Sequence, residues 1–196
     1  FDIAVLELLL PLSVGARIVL ADRVTAADGV ALKALIASSG ATVMQATPAS
    51  WRLLLDAECQ ADARFMILWG GKPFPPDLAA QLLTRCGSLW NVYGPTETTV
   101  WSTCSRVTSA SDIHIGRPID NTQVWILDPR GELCPLGVPG EIWIGGDGVT
   151  LGYLDRAELT AERFVADPFA ASGKGLLYRT DARGRWPAAG VLAHQG

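Results

Sequence analysis

The stretch NVYGPTETTVWS, residues 91–102, holds the densest set of side chains in the chain that could bind a ligand. Its Gly-Pro pair predicts a sharp turn, because proline fixes its own φ and glycine tolerates conformations that other residues avoid. The turn would hold Tyr93, Thr96 and Glu97 at the end of a strand, where α/β proteins bind ligands. The same residues also fit a plain strand, turn and short helix, with Thr96 as N-cap and Glu97 in the first turn.

The first hundred residues alternate between strand-like and helical patterns. Short apolar runs predict strands over residues 16–21, 42–45, 65–69 and 88–92, and helical spacing predicts helices over 27–39, 48–57 and 75–86. Such alternation predicts a mostly parallel sheet covered by helices. Ligands gather at the carboxyl ends of strands in sheets of this kind, which makes Gln45, the pair Gly70-Gly71 and residues 91–93 candidate positions.

The second half of the chain has a different pattern. Short strands are predicted over residues 123–127, 141–144 and 176–178, separated by Gly/Pro turns, with one helix over 158–165. This pattern is typical of a β-rich lobe, here a distorted barrel. The sequence therefore predicts an α/β fold with an α/β lobe over residues 1–108 and a barrel-like lobe over 109–196.

Composition excludes several classes of function. The net charge is −4 and the 16 lysines and arginines are scattered, which argues against nucleic acid as a partner. The four cysteines are far apart and only two histidines are present, so a zinc site is not expected. We expect the cysteines to be reduced thiols in a cytoplasmic protein. No apolar run approaches the roughly 20 residues that span a bilayer, so no membrane contact is expected.

Several motifs, in order along the chain, resemble the adenylation domains of nonribosomal peptide synthetases, within the adenylate-forming superfamily. They are FDIAVLE at 1–7, NVYGPTE at 91–97, GEIWIGGDGVTLGYL at 140–154, ELTAERFVADPF at 158–169 and LYRT at 177–180. The resemblance covers essentially the whole chain. The sequence starts within the FD motif and ends directly after a strand-like run, so we expect an internal fragment of the large N-terminal subdomain of an adenylation domain.

The resemblance gives the YGPTE stretch a role in binding Mg·ATP. It implies that Tyr93 stacks on adenine and that Asn91 bonds the exocyclic amine beside the Val92 backbone. Thr96 would contact the α-phosphate and Glu97 would hold Mg²⁺. These roles suit the groups, since a flat ring fits a flat base and a carboxylate is a hard ligand for a hard cation.

The resemblance also implies an amino-acid pocket. Asp2 would pair with the substrate's α-ammonium group, and Gly70 and Gly71 would let the backbone approach the nucleotide. The pocket positions map to Asp2, Ile3, Leu6, Gln45, Leu68, Gly70, Val92, Val100 and Trp101. Their order resembles the pattern for glycine, and Trp101, Gln45 and Leu6 would fill the space of a larger side chain. Ordinary core packing is the alternative for the apolar members.

The chain departs from the family pattern in three places. The phosphate-binding loop is absent, and no lysine matches the one that contacts the reacting carboxylate, so the fragment alone is expected to be inactive. The family's YRTGDLxRW reads YRTDARGRW at 178–186, which puts Ala182 where the ribose-binding aspartate belongs. A one-residue slip would instead let Asp181 serve.

The family resemblance predicts formation of glycyl-AMP from Mg·ATP and glycine, then transfer to a phosphopantetheine thiol. The partners would be the carrier and condensation domains of the same assembly line. An acyl-CoA or aryl-CoA ligase of the same superfamily is one alternative, which Asp2 argues against. A degenerate, non-catalytic adenylation module is another, and Ala182 supports it.

Overall fold

The computed structural model describes residues 2–170, 173–188 and 190–194. The chain divides into two compact units. One contains Ile3–Val92 and Ser105–Ile113, and the other contains Asp2, Tyr93–Cys104 and His114–Gly196. The lobe boundary at residue 108 stays a prediction. Within the described ranges, no helix has both the length and the apolar character needed to cross a membrane.

The first unit is built around a parallel sheet. Its elements are α1 (Ala4–Leu8), α2 (Leu10–Ser13), α3 (Arg23–Ala26), α4 (Gly29–Ser39), β1 (Val43–Ala46), α5 (Pro48–Asp56), β2 (Met66–Gly70), α6 (Pro76–Leu83) and β3 (Ser88–Tyr93), whose last residue belongs to the second unit. Strand β2 lies between β1 and β3 and pairs in parallel with both. The predicted parallel sheet is therefore confirmed.

Local signals explain where the helices begin and end. The Asp28 carboxylate accepts hydrogen bonds from the N–H groups of Val30 and Ala31, at 2.8 and 2.9 Å, and caps α4. Gly40 ends that helix in the left-handed conformation, with φ of 66°. Helices and sheet enclose a core that includes Trp51 and Trp69, both almost fully buried. Burial of such large side chains is the main stabilising contribution.

One predicted strand is wrong. Residues 16–21 form no strand, although their apolar sequence is strand-like, and Leu20 is exposed. A strand requires a partner that takes up its backbone hydrogen bonds, and an apolar run does not by itself supply one. The helix predicted over 75–86 is shorter, since α6 ends at Leu83. The short helices α1 to α3 had no predicted counterpart.

The second unit is a curled antiparallel sheet, a half-barrel. Its elements are a 3-10 turn (Thr96–Thr98), β4 (Thr103–Val107, ending in the first unit), β5 (Arg117–Pro118), β6 (Thr122–Leu127), β7 (Gly140–Gly146), α7 (Ala157–Arg163), β8 (Phe164–Ala166), β9 (Leu176–Arg185) and β10 (Ala193–His194). The strand order of the half-barrel is β10-β9-β7-β6, and β8 also pairs with β9. Strands β4 and β5 are not part of the half-barrel and pair antiparallel with each other. The predicted fold class, a parallel sheet followed by a barrel-like lobe, is confirmed.

The half-barrel has its own apolar core. Ile142 and Ile144 of β7 are fully buried, together with Leu192, and Val124 and Ile126 of β6 pack against them. The predicted helix over 158–165 ends earlier, at Arg163. The next residues pair with β9 instead, because Phe164 is buried opposite Tyr178.

Candidate active site

The loop after β3 folds back on itself within the second unit. The Ser102 N–H donates to the Tyr93 carbonyl at 2.8 Å. Gly94 lies inside this fold, where a Cβ would be 2.6 Å from the Trp101 Cα and 2.6 Å from the Val100 carbonyl oxygen. The glycine is required by this close approach of backbone, and not only by the turn that the sequence predicts.

Asp2 is bound to the same loop through both carboxylate oxygens. Its Oδ2 accepts a hydrogen bond from the Val100 N–H at 2.9 Å, and its Oδ1 accepts one from the Thr96 hydroxyl at 3.2 Å. Thr96 is therefore not an N-cap: the 3-10 turn begins at Thr96, after Pro95, with no side-chain cap. Asp2 holds Thr96 and Val100 in place, two residues of the loop over 93–102 that contains YGPTE (the YGPTE loop).

Two consecutive β-branched residues of this loop have positive φ. Thr99 has φ of 61° and Val100 has φ of 68°. Such backbone costs on the order of 1–3 kcal/mol for each residue and persists only where surrounding contacts impose it. Here the contacts are the bond from the Val100 N–H to Asp2 and a 2.6 Å bond from the Thr99 hydroxyl to the Gly148 carbonyl. Strained backbone of this kind is concentrated at ligand sites.

Glu97 is held at its side chain and at its backbone. The Tyr153 hydroxyl donates to Glu97 Oε1 at 2.6 Å, and the Thr150 N–H donates to the Glu97 carbonyl at 2.9 Å. Among the described residues no group of three His, Cys, Asp or Glu side chains could hold a metal. A single carboxylate nevertheless fits Mg²⁺, which keeps water and substrate phosphates as most of its ligands.

Tyr93 lies beside strands β9 and β10. Burial raises the pKa of its phenol, which lies near the Thr180 side chain. Its ring centroid is 5.8 Å from that of His194, at an interplanar angle of 50°. Tyr93 and Ala182 both pack against the half-barrel core. The ring is thus held in place by the half-barrel core and by His194.

Asp181 has a different environment from Ala182. Its carboxylate forms an ion pair with Arg163, and Arg179 lies 3.8 Å away. The pairing with Arg163 lowers the pKa of the Asp181 carboxyl. Asp181 has φ of 60°, beside an irregularity in the pairing of β7 with β9. The structure therefore places Asp181 in an ion-pair network and Ala182 against the core that Tyr93 also contacts.

The first unit gathers four of the proposed pocket residues on one face of its sheet. Gln45 is opposite Leu68, and Gly70 is opposite Val92. Residues that pair in a parallel sheet share a face, and Leu68 and Gly70 share theirs because side chains alternate. These residues stand at or near the carboxyl ends of β1, β2 and β3. Gln45 Oε1 is buried with no hydrogen-bond partner among the described residues, which marks a polar position that a ligand could satisfy.

The remaining predicted residues have varied environments. Asn91 and Trp101 are buried, and the Trp101 indole N–H has no partner in the described part of the chain. Gly71 has φ of 78°, which favours glycine. Ile3 precedes α1 and Leu6 lies within it, both half-buried. The predicted residues of the first unit thus lie on its sheet and at α1, and those of the second unit lie mainly on the loop after β3.

Sequence reasoning missed two side chains of the second unit. Tyr153 and Tyr178 had no predicted role, although both lie in motifs of the family. The contact between Tyr153 and Glu97 joins residues 56 positions apart. No local spacing rule connects such positions, so only the folded chain brings them together.

The fold matches that of adenylate-forming enzyme domains. Residues 1–154 match the family of AMP-binding enzymes, and the chain belongs to that family. A dimodular nonribosomal peptide synthase of Bacillus subtilis (strain 168) is 42% identical over the whole chain, and tyrocidine synthase 3 of Brevibacillus parabrevis is 38% identical. The chain spans 8% and 3% of the length of these two relatives. It is an adenylation-domain segment of the nonribosomal peptide synthetase type.

Solved structures share its fold. A four-domain nonribosomal peptide synthetase, holo-AB3403 bound to AMP and glycine, superposes with a TM-score of 0.94 at 44% identity, covering all of this chain and 15% of that one. The N-terminal subdomain of Klebsiella oxytoca NpsA, in complex with 3-hydroxybenzoyl-AMSN, gives a TM-score of 0.80 at 25% identity and 51% coverage of that chain.

Proposed function

We propose that this chain is the substrate-binding part of an adenylation domain that activates glycine. One carboxylate oxygen of the amino acid attacks the α-phosphorus of Mg·ATP, the bond from that phosphorus to the bridging oxygen of the β-phosphate breaks, and pyrophosphate leaves. The phosphopantetheine thiol of a carrier domain then takes the glycyl group from AMP. Carrier and condensation domains of the same assembly line are the proposed partners.

The observation that carries the proposal is the position of Asp2. Its two oxygens are tied to Val100 and Thr96 at 2.9 and 3.2 Å. A half-buried carboxylate held in this way is a fixed negative charge beside the strained loop. It suits an α-ammonium group, because a charge-assisted hydrogen bond is roughly twice as strong as a neutral one. A substrate without an α-amine would leave that charge without its cation.

Two features support glycine in particular. The proposed pocket residues include Gln45 and Trp101, which are bulky and carry side-chain polar atoms with no partner among the described residues. Both would occupy the space of a substrate side chain and so exclude larger amino acids by bulk. The synthetase that matches at 44% identity is bound to AMP and glycine. NpsA, with its 3-hydroxybenzoyl ligand, matches at 25%.

The nucleotide would lie along the YGPTE loop. Tyr93 would stack on adenine beside Asn91 and Val92, and the backbone of Gly71, which has no side chain, would lie close to the nucleotide. Thr96 would contact the α-phosphate, and Glu97 would provide a carboxylate ligand for Mg²⁺. The metal would supply charge neutralisation on the phosphates. The chain's own residues would orient the two reactants, and positioning together with electrostatic stabilisation supplies most of the rate in phosphoryl transfer.

The test is exchange of labelled pyrophosphate into ATP by the full-length synthetase that carries this chain. Glycine, alanine, serine and β-alanine are compared as substrates. We expect exchange with glycine, and a loss of at least about 100-fold in Asp2→Ala, because an ion-paired contact is removed. Asp2→Asn keeps an acceptor for the Val100 N–H and separates the loss of charge from loss of loop structure. Exchange with another amino acid alone would overturn the glycine assignment and leave the enzyme class.

A non-catalytic module is the second candidate, and Ala182 is the observation that favours it. The alanine at this position has no group that could bind ribose, and Asp181 beside it is paired with Arg163. A ribose contact by Asp181 stays a prediction, and its ion pair argues against it. A folded full-length protein that exchanges no amino acid and binds no Mg·ATP would establish this second candidate.

A further inference from the structure

The segment after β7 is attached to Glu97 at two atoms. The Thr150 N–H donates to the Glu97 backbone carbonyl at 2.9 Å, and the Tyr153 hydroxyl donates to Glu97 Oε1 at 2.6 Å. The Thr99 hydroxyl donates to the carbonyl of Gly148 in the same segment, at 2.6 Å. This segment therefore fixes the 3-10 turn and the direction in which its one carboxylate points.

Tyr153 is itself fixed by α7 and β8. Its N–H donates to Thr160 Oγ1 at 2.9 Å, and its ring meets the Phe164 ring edge-on at 5.4 Å. Gly152 has φ of 129°, and a Cβ there would lie 2.3 Å from Thr160 Cγ2. The backbone at Gly152 and Tyr153 is thus packed directly on the helix. Movement of the Tyr153 hydroxyl away from Glu97 would disrupt the contacts of Tyr153 with Thr160 and Phe164.

Tyr178 extends the contact behind Tyr153. Its ring centroid lies 5.1 Å from that of Phe164, the ring that Tyr153 also contacts. Burial near Tyr153 and the Glu97 carboxylate raises the pKa of Tyr178 strongly. Partial burial and the bond to Glu97 raise the pKa of Tyr153 as well. A tyrosine hydroxyl, with its ordinary pKa of about 10, is protonated at neutral pH and can donate. The Tyr153 hydroxyl, whose ring packs on the Phe164 ring that Tyr178 also contacts, orders the Glu97 carboxylate.

A metal ligand needs such ordering. A glutamate on a short 3-10 turn can rotate about three side-chain bonds, and only some of its rotamers present an oxygen to a cation. Partners that orient a ligand from behind typically change metal affinity by 10–100-fold when they are removed. Tyr153 donates to one oxygen of Glu97 and so sets the plane of the carboxylate.

We propose that Tyr153 is a positioning residue that orients Glu97 toward Mg²⁺, with Tyr178 supporting Tyr153. The inference rests on the proposed function, since Mg·ATP is assigned to Glu97 there. The segment GYL at 152–154 would then orient a metal ligand as well as connect β7 to α7.

The test uses the full-length synthetase with Tyr153→Phe, which removes the hydroxyl and keeps the ring on Phe164. Pyrophosphate exchange is measured at fixed ATP over a range of free Mg²⁺, and Mn²⁺ binding with ATP is measured by electron paramagnetic resonance. We expect the half-saturating metal concentration to rise about tenfold or more, with KM for the amino acid within about twofold. High Mg²⁺ should restore most of the rate. Tyr178→Phe should give a smaller shift in the same direction.

A matched control removes a hydroxyl that does not contact Glu97. Thr103→Val loses the buried 2.6 Å bond to the Ile115 carbonyl in the same unit, so it should lower stability without changing metal dependence. If Tyr153→Phe fails to fold, the Tyr178→Phe shift decides the proposal. Unchanged metal dependence in a folded, active Tyr153→Phe overturns the inference and leaves the proposed function.

The binding measurement separates this inference from the proposed function. Wild-type protein that binds Mn·ATP with the expected variant shift, yet exchanges no amino acid, supports the inference and overturns the proposed activity. Wild-type protein that binds no Mn·ATP overturns both.

Discussion

Gly94 and Trp101 are in direct backbone contact: a Cβ atom on residue 94 would lie 2.6 Å from the Trp101 Cα. The contact joins the proposed adenine-binding end of the loop to the proposed wall of the amino-acid pocket. The Ser102 N–H closes the same fold on the Tyr93 carbonyl at 2.8 Å. The residues of the second unit that we propose bind the nucleotide and the amino acid therefore lie on one tightly folded loop.

This contact predicts that Gly94→Ala damages both stability and substrate binding. The methyl group would meet three backbone atoms within 2.8 Å, and backbone cannot move aside as a flexible side chain can. We expect the free energy of unfolding to fall by about 1–3 kcal/mol, as in other overpacked sites. Chemical denaturation of the adenylation domain measures this, and KM should rise for ATP and for the amino acid together.

Gly175→Ala is the matched control for this substitution. Its nearest neighbours would lie 3.4 Å or more from the new Cβ, which is ordinary contact. A change below about 0.5 kcal/mol is expected, as for most surface substitutions. An equal loss of stability in both variants would show that the close approach at Gly94 is not the cause.

Six strands were predictable because their sequences carry the signal of burial, namely β1, β2, β3, β6, β7 and part of β9, whereas β4, β5, β8 and β10 had no predicted counterpart. The run FMILW is apolar on both faces, and in the structure Ile67 and Trp69 are buried in the core of the first unit. The apolar run at 16–21 gives the same signal and forms no strand. The two runs differ in that β2 has neighbouring strands to pair with, whereas residues 16–21 pair with none of the strands that the structure describes. Strand pairing depends on the tertiary structure, which local sequence does not specify.

The residue types of the site were predictable, but its strained geometry was not. β-branched residues disfavour positive φ, so nothing in the sequence indicates that Thr99 and Val100 adopt it. The conformation depends on Asp2, which lies 98 residues from Val100 along the chain. The tie between Glu97 and Tyr153 is equally non-local. Family resemblance identified the residues, and only the fold shows which contacts hold them.

A second prediction concerns the aspartate that the family uses for ribose. Ala182 packs on the same core as Tyr93, whereas Asp181 is paired with Arg163 and is more than half-exposed. We therefore expect Ala182→Asp to lower KM for ATP by tenfold or more, because a new charged acceptor is worth about 1.5–3 kcal/mol. Asp181→Ala should leave KM for ATP within about twofold. The measurement is ATP-dependent pyrophosphate exchange in the full-length synthetase.

Ala182→Asn is the control for the charge. It should give a smaller gain, since it can accept a hydrogen bond without being ionised. A rise in KM for ATP in Asp181→Ala, with no gain in Ala182→Asp, would instead assign the ribose contact to Asp181.

The third prediction concerns the dependence of stability on pH. Burial lowers the pKa of His194, whose ring lies beside Tyr93. In the unfolded chain a histidine has a pKa of about 6.5. The unfolded state therefore binds more protons than the folded state as the pH falls below that value, so stability is full above about pH 6.5 and is lost as the pH decreases. The slope from this residue cannot exceed about 1.4 kcal/mol per pH unit, and partial exposure makes it smaller.

Urea unfolding of the adenylation domain at pH 7.5, 6.5 and 5.5 measures this dependence of stability on pH, with His194→Gln as the variant that does not titrate. The variant should lose less stability than the wild type between pH 6.5 and 5.5, and equal losses would show that His194 does not contribute.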